Sequence, residues 1–301
     1  MDLVVKAPRL PARGETILGE NFLMTPGGKG ANQAVAAAKL DAEVYFIAKL
    51  GKDIFGQKSL QNFKKAGVNT QYVTQTNSPS GVALIIVDSS GGNEIVVASG
   101  ANQKLSLRDI KSAVTAISWS DVLVVQLEVP MKTVEFAAQL AHNYKLTVIL
   151  DPAPAQKLSR EFLKIVDVIK PNETEAQILT GIEVINKDSA RRAADNLLEA
   201  GVKAVILTMG AKGFLLATTR KTQFVPAIKV TAVDTTAAGD AFTGGLAFGL
   251  AEGKSLFDAA LFANYVAALS VTKMGAQSSM PTKQAVESFI IKKENHPRSK
   301  K

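Results

Sequence analysis

From Glu43 onward, short apolar runs rich in β-branched residues alternate with longer stretches whose apolar positions recur every three or four residues. Residues 44–48, 122–126, 146–150, 168–170 and 204–208 predict strands buried on both faces. Helical spacing fills the intervals at 31–39, 54–66, 131–143, 174–180 and 187–200, and Gly67, Gly181 and Gly201 stand where helix C-caps belong. Such alternation implies the α/β class, with a mainly parallel sheet covered by helices on both faces.

Two regions break the rhythm. Residues 81–87 and 94–98, separated by Asp88-Ser-Ser-Gly-Gly-Asn93, predict a β-hairpin, and residues 3–22 hold short extended pieces punctuated by Pro8, Pro11 and Gly14. Together, residues 3–25 and 73–98 are expected to form a small β-sheet lid over a main domain of residues 26–72 and 99–301. The last third turns helical at 239–252, 256–273 and 282–293, with no internal repeat or low-complexity linker.

Composition narrows the chemistry. The 301 residues are 47% hydrophobic and 21% charged, as in a soluble globular protein with a sizeable core. The most apolar uncharged run, 259–272, is shorter than the roughly 20 residues a bilayer requires, and no basic segment followed by an apolar one opens the chain. A cytoplasmic protein without a membrane partner is expected. The absence of cysteine excludes disulfides, zinc thiolates and thiol nucleophiles, and His142 and His296 have no ligand-like spacing. The net charge of +8 is concentrated at the end, where Lys292, Lys293, Arg298, Lys300 and Lys301 face only Glu294. That segment reads as a solvated tail rather than a nucleic-acid arm, while a moderately basic body suits an anionic nucleotide.

Candidate chemistry concentrates in Val233-Asp-Thr-Thr-Ala-Ala-Gly-Asp-Ala-Phe-Thr-Gly-Gly245, where a strand end passes through small residues into a helix. Ala237, Ala238 and Gly239 let a ligand approach the unpaired N–H groups of the helix start, which makes an anion hole. Asp240 can then be a base that takes a hydroxyl proton, or simply a carboxylate stabilising the helix terminus. A second cluster, Pro26-Gly-Gly-Lys-Gly-Ala-Asn-Gln33, opens the first long helix, and Asn32 and Gln33 suit a polyol ligand. Gly253-Lys254-Ser255 is one residue short of a Walker A spacing and follows a helix, and no Gly-x-Gly-x-x-Gly opens a βαβ unit.

Taken together, these two segments resemble the ribokinase family of sugar kinases, also called the phosphofructokinase-B family. Gly27-Gly-Lys-Gly-Ala-Asn-Gln-Ala34 with Leu50-Gly-Lys-Asp-Ile-Phe-Gly56 is similar to its first signature, and Asp234-Thr-Thr-Ala-Ala-Gly-Asp240 to its second. Ser99-Gly-Ala-Asn102, Gln126-Leu-Glu-Val-Pro130, Asp151-Pro-Ala-Pro-Ala155 and Lys170-Pro-Asn-Glu-Thr-Glu175 extend the likeness over nearly the whole chain.

The resemblance implies a three-layer α/β/α sandwich with a small β lid, and ATP-dependent phosphorylation of D-ribose at O5. Asp240 would be the base and Ala237, Ala238 and Gly239 the anion hole, while Asp2, Gly28, Lys29, Asn32 and Glu128 would hold sugar hydroxyls. Asn172 and Glu175 would organise magnesium-bound phosphates through water. Thr208, Gly210, Lys212, Gly213 and Gly239 would line the nucleotide site, with Asn264 near the adenine. A monovalent cation, potassium, would take Asp234, Thr236, Ser270, Lys273, Gly275 and Ser279, several through carbonyls. The family also implies a homodimer joined lid to lid.

One departure stands at the start. The family opens with a strand ending in Asn-x-Asp, of which Met1-Asp2 matches only the last two positions. A chain extended upstream is therefore expected to be more stable and to bind ribose more tightly. The rival expectations are a same-fold kinase for deoxyribose, fructose or a nucleoside, and a non-catalytic sugar or nucleotide sensor.

Overall fold

A computed structural model of the chain describes residues 1–89 and 92–295. Ser90 and Gly91 of the predicted hairpin turn, and His296, Arg298, Lys300 and Lys301 of the basic tail, lie outside the described residues. The chain begins with β1 (Asp2–Lys6), β2 (Asn21–Thr25), α1 (Lys29–Lys39), β3 (Ala48–Gly51) and α2 (Ile54–Lys65). Next come β4 (Val73–Thr76), β5 (Val82–Val87), β6 (Asn93–Ala98), α3 (Leu107–Ser112), α4 (Val114–Trp119) and β7 (Val122–Val125). The central alternation is α5 (Met131–Asn143), β8 (Thr147–Leu150), α6 (Arg160–Leu163), β9 (Val168–Ile169), α7 (Glu173–Thr180), α8 (Lys187–Glu199) and β10 (Ala204–Thr208). It ends with β11 (Phe214–Thr218), β12 (Thr222–Val225), α9 (Ala238–Ala251), α10 (Leu256–Ser270) and α11 (Lys283–Asn295).

Among the described residues the main sheet runs β12-β11-β10-β9-β8-β7. The strands from β7 to β10 are parallel, while β11 and β12 add an antiparallel edge that the hydrophobic pattern did not predict. Alternation along each strand builds the three layers. Val148, Leu150, Val205 and Leu207 pack with Val134 and Ala138 of α5 and Ala190 and Leu197 of α8. Ile149, Val168, Ala204 and Ile206 point the other way, onto Phe242 and Leu246 of α9 and Ala263 of α10. The three-layer α/β/α expectation is met.

A second sheet has the order β2-β1-β5-β6, with β1 parallel to β5 and the other pairs antiparallel. By register, Asp2, Ala83 and Val97 share its inner face, and Phe22, Leu84 and Val96 its outer one. The pair β3–β4 stands apart from both sheets. The strand predicted at 44–48 begins at Ala48 instead, and before it only Tyr45 makes a bridge, to Asn69. A cavity of about 1020 Å³ explains the shift, because residues 44–50 and 121–127 both line it and, among the described residues, no strand joins β3 to β7. The Met1 ammonium lines the same cavity, donates to the Gly81 carbonyl (3.2 Å), and is pushed below its ordinary pKa by burial. Among the described residues no helix is long and apolar enough to cross a membrane.

Candidate active site

Parallel strands deliver their next residues to one edge of the sheet, and in this fold class that edge is where ligands bind. β7 leads to Gln126 and Glu128, β8 to Asp151, β9 to Lys170 and Asn172, and β10 ends at Thr208. The helix starts of α1 and α9 bring the two glycine-rich segments to the same edge.

α9 begins at Ala238 after Ala237, whose left-handed backbone (φ 59°) turns the chain into the helix. No side chain caps it; the Ala238 amide donates to the Thr235 carbonyl (3.2 Å), which leaves the Gly239 and Asp240 amides of the first turn to face an anion. Asp240 is buried, at 5% exposure, and lies in that first turn. Its Oδ2 accepts from Asn32 Nδ2 (2.8 Å) and its Oδ1 from Gln33 Nε2 (3.0 Å). Gln277 Nε2 donates to Asn32 Oδ1 at 3.0 Å, which sets the orientation of that amide. Burial pushes the Asp240 carboxyl above the usual carboxylate range; the Lys29 ammonium opposes the shift and Asp151 adds to it. A carboxylate held this way keeps a free lone pair on each oxygen and gains affinity for a proton.

α1 has no side-chain cap of its own; the Glu128 carboxylate accepts from the Lys29 amide (3.0 Å). Burial raises the Glu128 carboxyl against the opposing pull of Lys29, and burial likewise raises Asp2. Burial lowers the Lys29 ammonium, but Asp240, Asp151, Glu175 and Glu128 together outweigh it and hold the group above its ordinary value. Gly28 has φ 94°, a conformation that favours glycine, and a β-carbon on Gly27 would stand 2.1 Å from Asp2 Oδ2 and displace that carboxylate. Asp2, Gly27, Gly28, Lys29, Gln33 and Glu128 line the large cavity, which has room for a pentose. Asn32, expected at the sugar, is 6% exposed and engaged with Asp240 and Gln277.

The residues expected at the nucleotide lie on the other flank. Asn172 Oδ1 accepts from the Glu175 amide and Glu175 Oε2 from the Asn172 amide, both at 2.8 Å. The Asn-x-x-Glu pattern is thus also the capping box of α7. The Thr208 amide donates to the Pro171 carbonyl (2.9 Å), bringing the end of β10 beside Asn172. Gly210 and Lys212 are exposed, and Lys212 Nζ lies 3.6 Å from Glu173 Oε1. A β-carbon on Gly213 (φ 104°) would overlap the Val225 carbonyl. Asn264 is buried and donates to the Pro226 carbonyl (2.9 Å), and Pro226 also lines a cavity of about 440 Å³ beside Lys212 and Phe224.

A third corner contains Asp234, which accepts from the amides of Thr236 (2.9 Å) and Gly275 (2.8 Å). Burial raises its carboxyl, yet these bonds outweigh burial and hold it below the usual range. The Val233 and Asp234 amides donate to the Val271 carbonyl, which ties this loop to the end of α10 beside Ser270 and Lys273. Ser279 is buried on the same connection. Among the described residues no group of three or more His, Cys, Asp or Glu side chains could hold a metal ion.

Sequence reading assigned Gln33 to a polyol and gave Gln126, Asp151 and Lys170 no role of their own beyond the motifs they open; that the four meet behind Asp240 was not foreseen, because they come from distant segments.

The pattern for pfkB family carbohydrate kinases matches residues 1–283. A ribokinase of Haemophilus influenzae is 45% identical over 290 residues, covering 96% of this chain and 95% of its own. A deoxyribokinase of Salmonella typhi is 40% identical over 292 residues, covering 96% and 95%. The structure of Arabidopsis thaliana ribokinase complexed with ribose and ATP superposes with a TM-score of 0.89 at 33% identity, over 96% of this chain and 95% of that one. With its motifs gathered at one sheet edge and its likeness running end to end, the chain belongs to the pfkB family of carbohydrate kinases.

Proposed function

We propose that this protein transfers the γ-phosphoryl group of ATP to O5 of D-ribose, giving D-ribose 5-phosphate and ADP. The observation that carries this reading is the Asp240 carboxylate, buried in the first turn of α9 and bonded to Asn32 and to Gln33, the second of which lines the cavity with room for a pentose.

In this reading Asp2, Gly28, Lys29 and Glu128 hold the sugar hydroxyls, and Asp240 accepts the O5 proton as the new P–O bond forms. The amides after Ala237 stabilise charge on the transferring group, so positioning and electrostatics do most of the catalysis. Asn172 and Glu175 would organise magnesium through water, and magnesium would screen the phosphate charge. The corner of Asp234, Thr236, Ser270, Lys273, Gly275 and Ser279, rich in backbone carbonyls, would hold potassium beside the anion hole.

The four-stranded sheet is read as the lid. Its inner face carries Asp2, Ala83 and Val97 to the cavity, and its closure would exclude water that competes as acceptor. On its outer face Phe22 is 62%, Leu84 51% and Val96 66% exposed, an apolar surface that a second copy would cover. Sedimentation at micromolar concentration is expected to show a dimer.

The deciding experiment measures ADP release with ribose, ATP and magnesium, with and without potassium. Ribose-dependent turnover, increased by potassium, is expected. Calorimetric binding of ribose without ADP formation would instead make the protein a sensor. The likeness to a deoxyribokinase favours a second substrate, so deoxyribose belongs in the same assay. Ribose should be preferred if Asp2 or Glu128 is left unpaired by the missing hydroxyl.

A further inference from the structure

Behind the reactive corner lies a buried polar group that the proposed reaction does not use. Asp151 follows β8 and Lys170 follows β9, so adjacent parallel strands deliver the two side chains to one place, 2% and 3% exposed. Lys170 Nζ stands 3.4 Å from Asp151 Oδ2. That oxygen also accepts from Gln33 Nε2 at 2.8 Å, and the same nitrogen donates to Asp240 Oδ1 at 3.0 Å. One amide nitrogen therefore bridges two carboxylates. Gln126 Nε2 donates to Gln33 Oε1, which fixes the end of the amide that faces the acids. Thr243 donates to the Gly239 carbonyl (2.9 Å) and lies 3.4 Å from Asp151 Oδ2. The Lys170 ammonium is 3.5 Å from the point where a β-carbon on Gly239 would stand, which places it against the first turn of α9.

A buried ion pair is a poor way to stabilise a fold, since apolar residues of similar size often serve as well or better. At this place the pair touches both the orienting amide of the base and the helix turn that forms the anion hole. We propose that Asp151 and Lys170 form an electrostatic mount for the base. Asp151 acts through Gln33 to orient Asp240 and raise its affinity for the proton. Lys170 balances Asp151 and adds positive charge beside Gly239. Gln33 and Asp151 are positioning residues, acting only through Asp240. The inference rests on Asp240 being the base. The other charged groups facing Asp240 are Lys29 of α1 and Glu128 after β7, while Glu175 and Asp2 act on those two in turn.

The test titrates the Asp240 carboxyl by ¹³C NMR in the ligand-free protein, with the signal assigned through Asp240→Asn. Removing a neighbouring negative charge favours the ionised form, so Asp151→Asn is expected to lower the midpoint by about one pH unit. Lys170→Met leaves Asp151 unbalanced and is expected to raise it by about as much, and the double variant returns it close to the wild-type value. Gln33→Met, which removes the bridging donor without changing charge, raises the midpoint and lowers kcat about tenfold or more with the KM for ATP unchanged. It keeps the test open if a charge variant fails to fold. An Asp240 midpoint that moves in none of the folded variants overturns the proposal. Shifted midpoints in a protein that releases no ADP would leave the mount standing and defeat the proposed reaction alone.

Discussion

On the flank of the α9 start proposed for the sugar, Asp240, Asn32, Gln33 and Asp151 are all buried and linked by hydrogen bonds. On the flank proposed for the nucleotide, Asn172, Gly210 and Lys212 are exposed, and the bonds of Asn172 and Glu175 serve their own helix start. The first arrangement is complete before substrate arrives, because no buried side-chain polar atom among the described residues lacks a partner. The second offers backbone amides and solvent-facing side chains that a charged ligand would organise. The difference follows the chemistry, since proton transfer tolerates little misplacement whereas a triphosphate with its cation can draw in mobile partners.

The largest effect expected is at the base. Asp240→Asn should lose about 10² or more in kcat while ATP binding is nearly kept; wild-type turnover in that variant would remove Asp240 from the chemistry. Next comes the packing that holds the sugar flank together. A β-carbon on Gly244 would stand 2.5 Å from Ala36 Cβ and 2.9 Å from the Gln33 carbonyl. Gly244→Ala should therefore push α1 off α9, costing about 1–3 kcal/mol in denaturant unfolding and lowering kcat as Gln33 moves. Unchanged stability would mean that this contact is loose.

Acid pH sharpens the comparison more gently. Asp240 must be ionised to accept a proton, and burial raises its carboxyl. The acid limb of kcat/KM should accordingly fall at a pH above the ordinary aspartate value of about 3.9, and a limb at or below that value would contradict the burial argument. The smallest effect is expected across the site. Lys212→Ala breaks only an exposed ion pair with Glu173, so stability should change by about 0.5 kcal/mol or less, with a modest rise in the KM for ATP. A loss as large as that of Asp240→Asn would erase the distinction between the flanks.

Much of this was legible in the sequence where one segment carries the whole signal. α5 and β10 have the predicted bounds, because a strong period or a continuous β-branched run needs no partner to be recognised. β11 was missed because Phe214–Thr218 follows a glycine-rich turn already read as nucleotide lining, and its antiparallel pairing is set by β10. The shift at β3 depends on what lies beside residues 44–47, which the pattern of those residues cannot report. At the site, Asp240 and the amides before it share one motif. The mount behind them joins α1 to the ends of β7, β8 and β9, and only the folded chain brings those together.

The cavity beside β7 bears on how the molecule comes apart. β7 pairs with β8 on one side only and faces the cleft of about 1020 Å³ on the other, whereas β10 has a strand on each side. Local opening should therefore start at this margin, with the amides of Val122–Val125 exchanging with solvent before those of Ala204–Thr208.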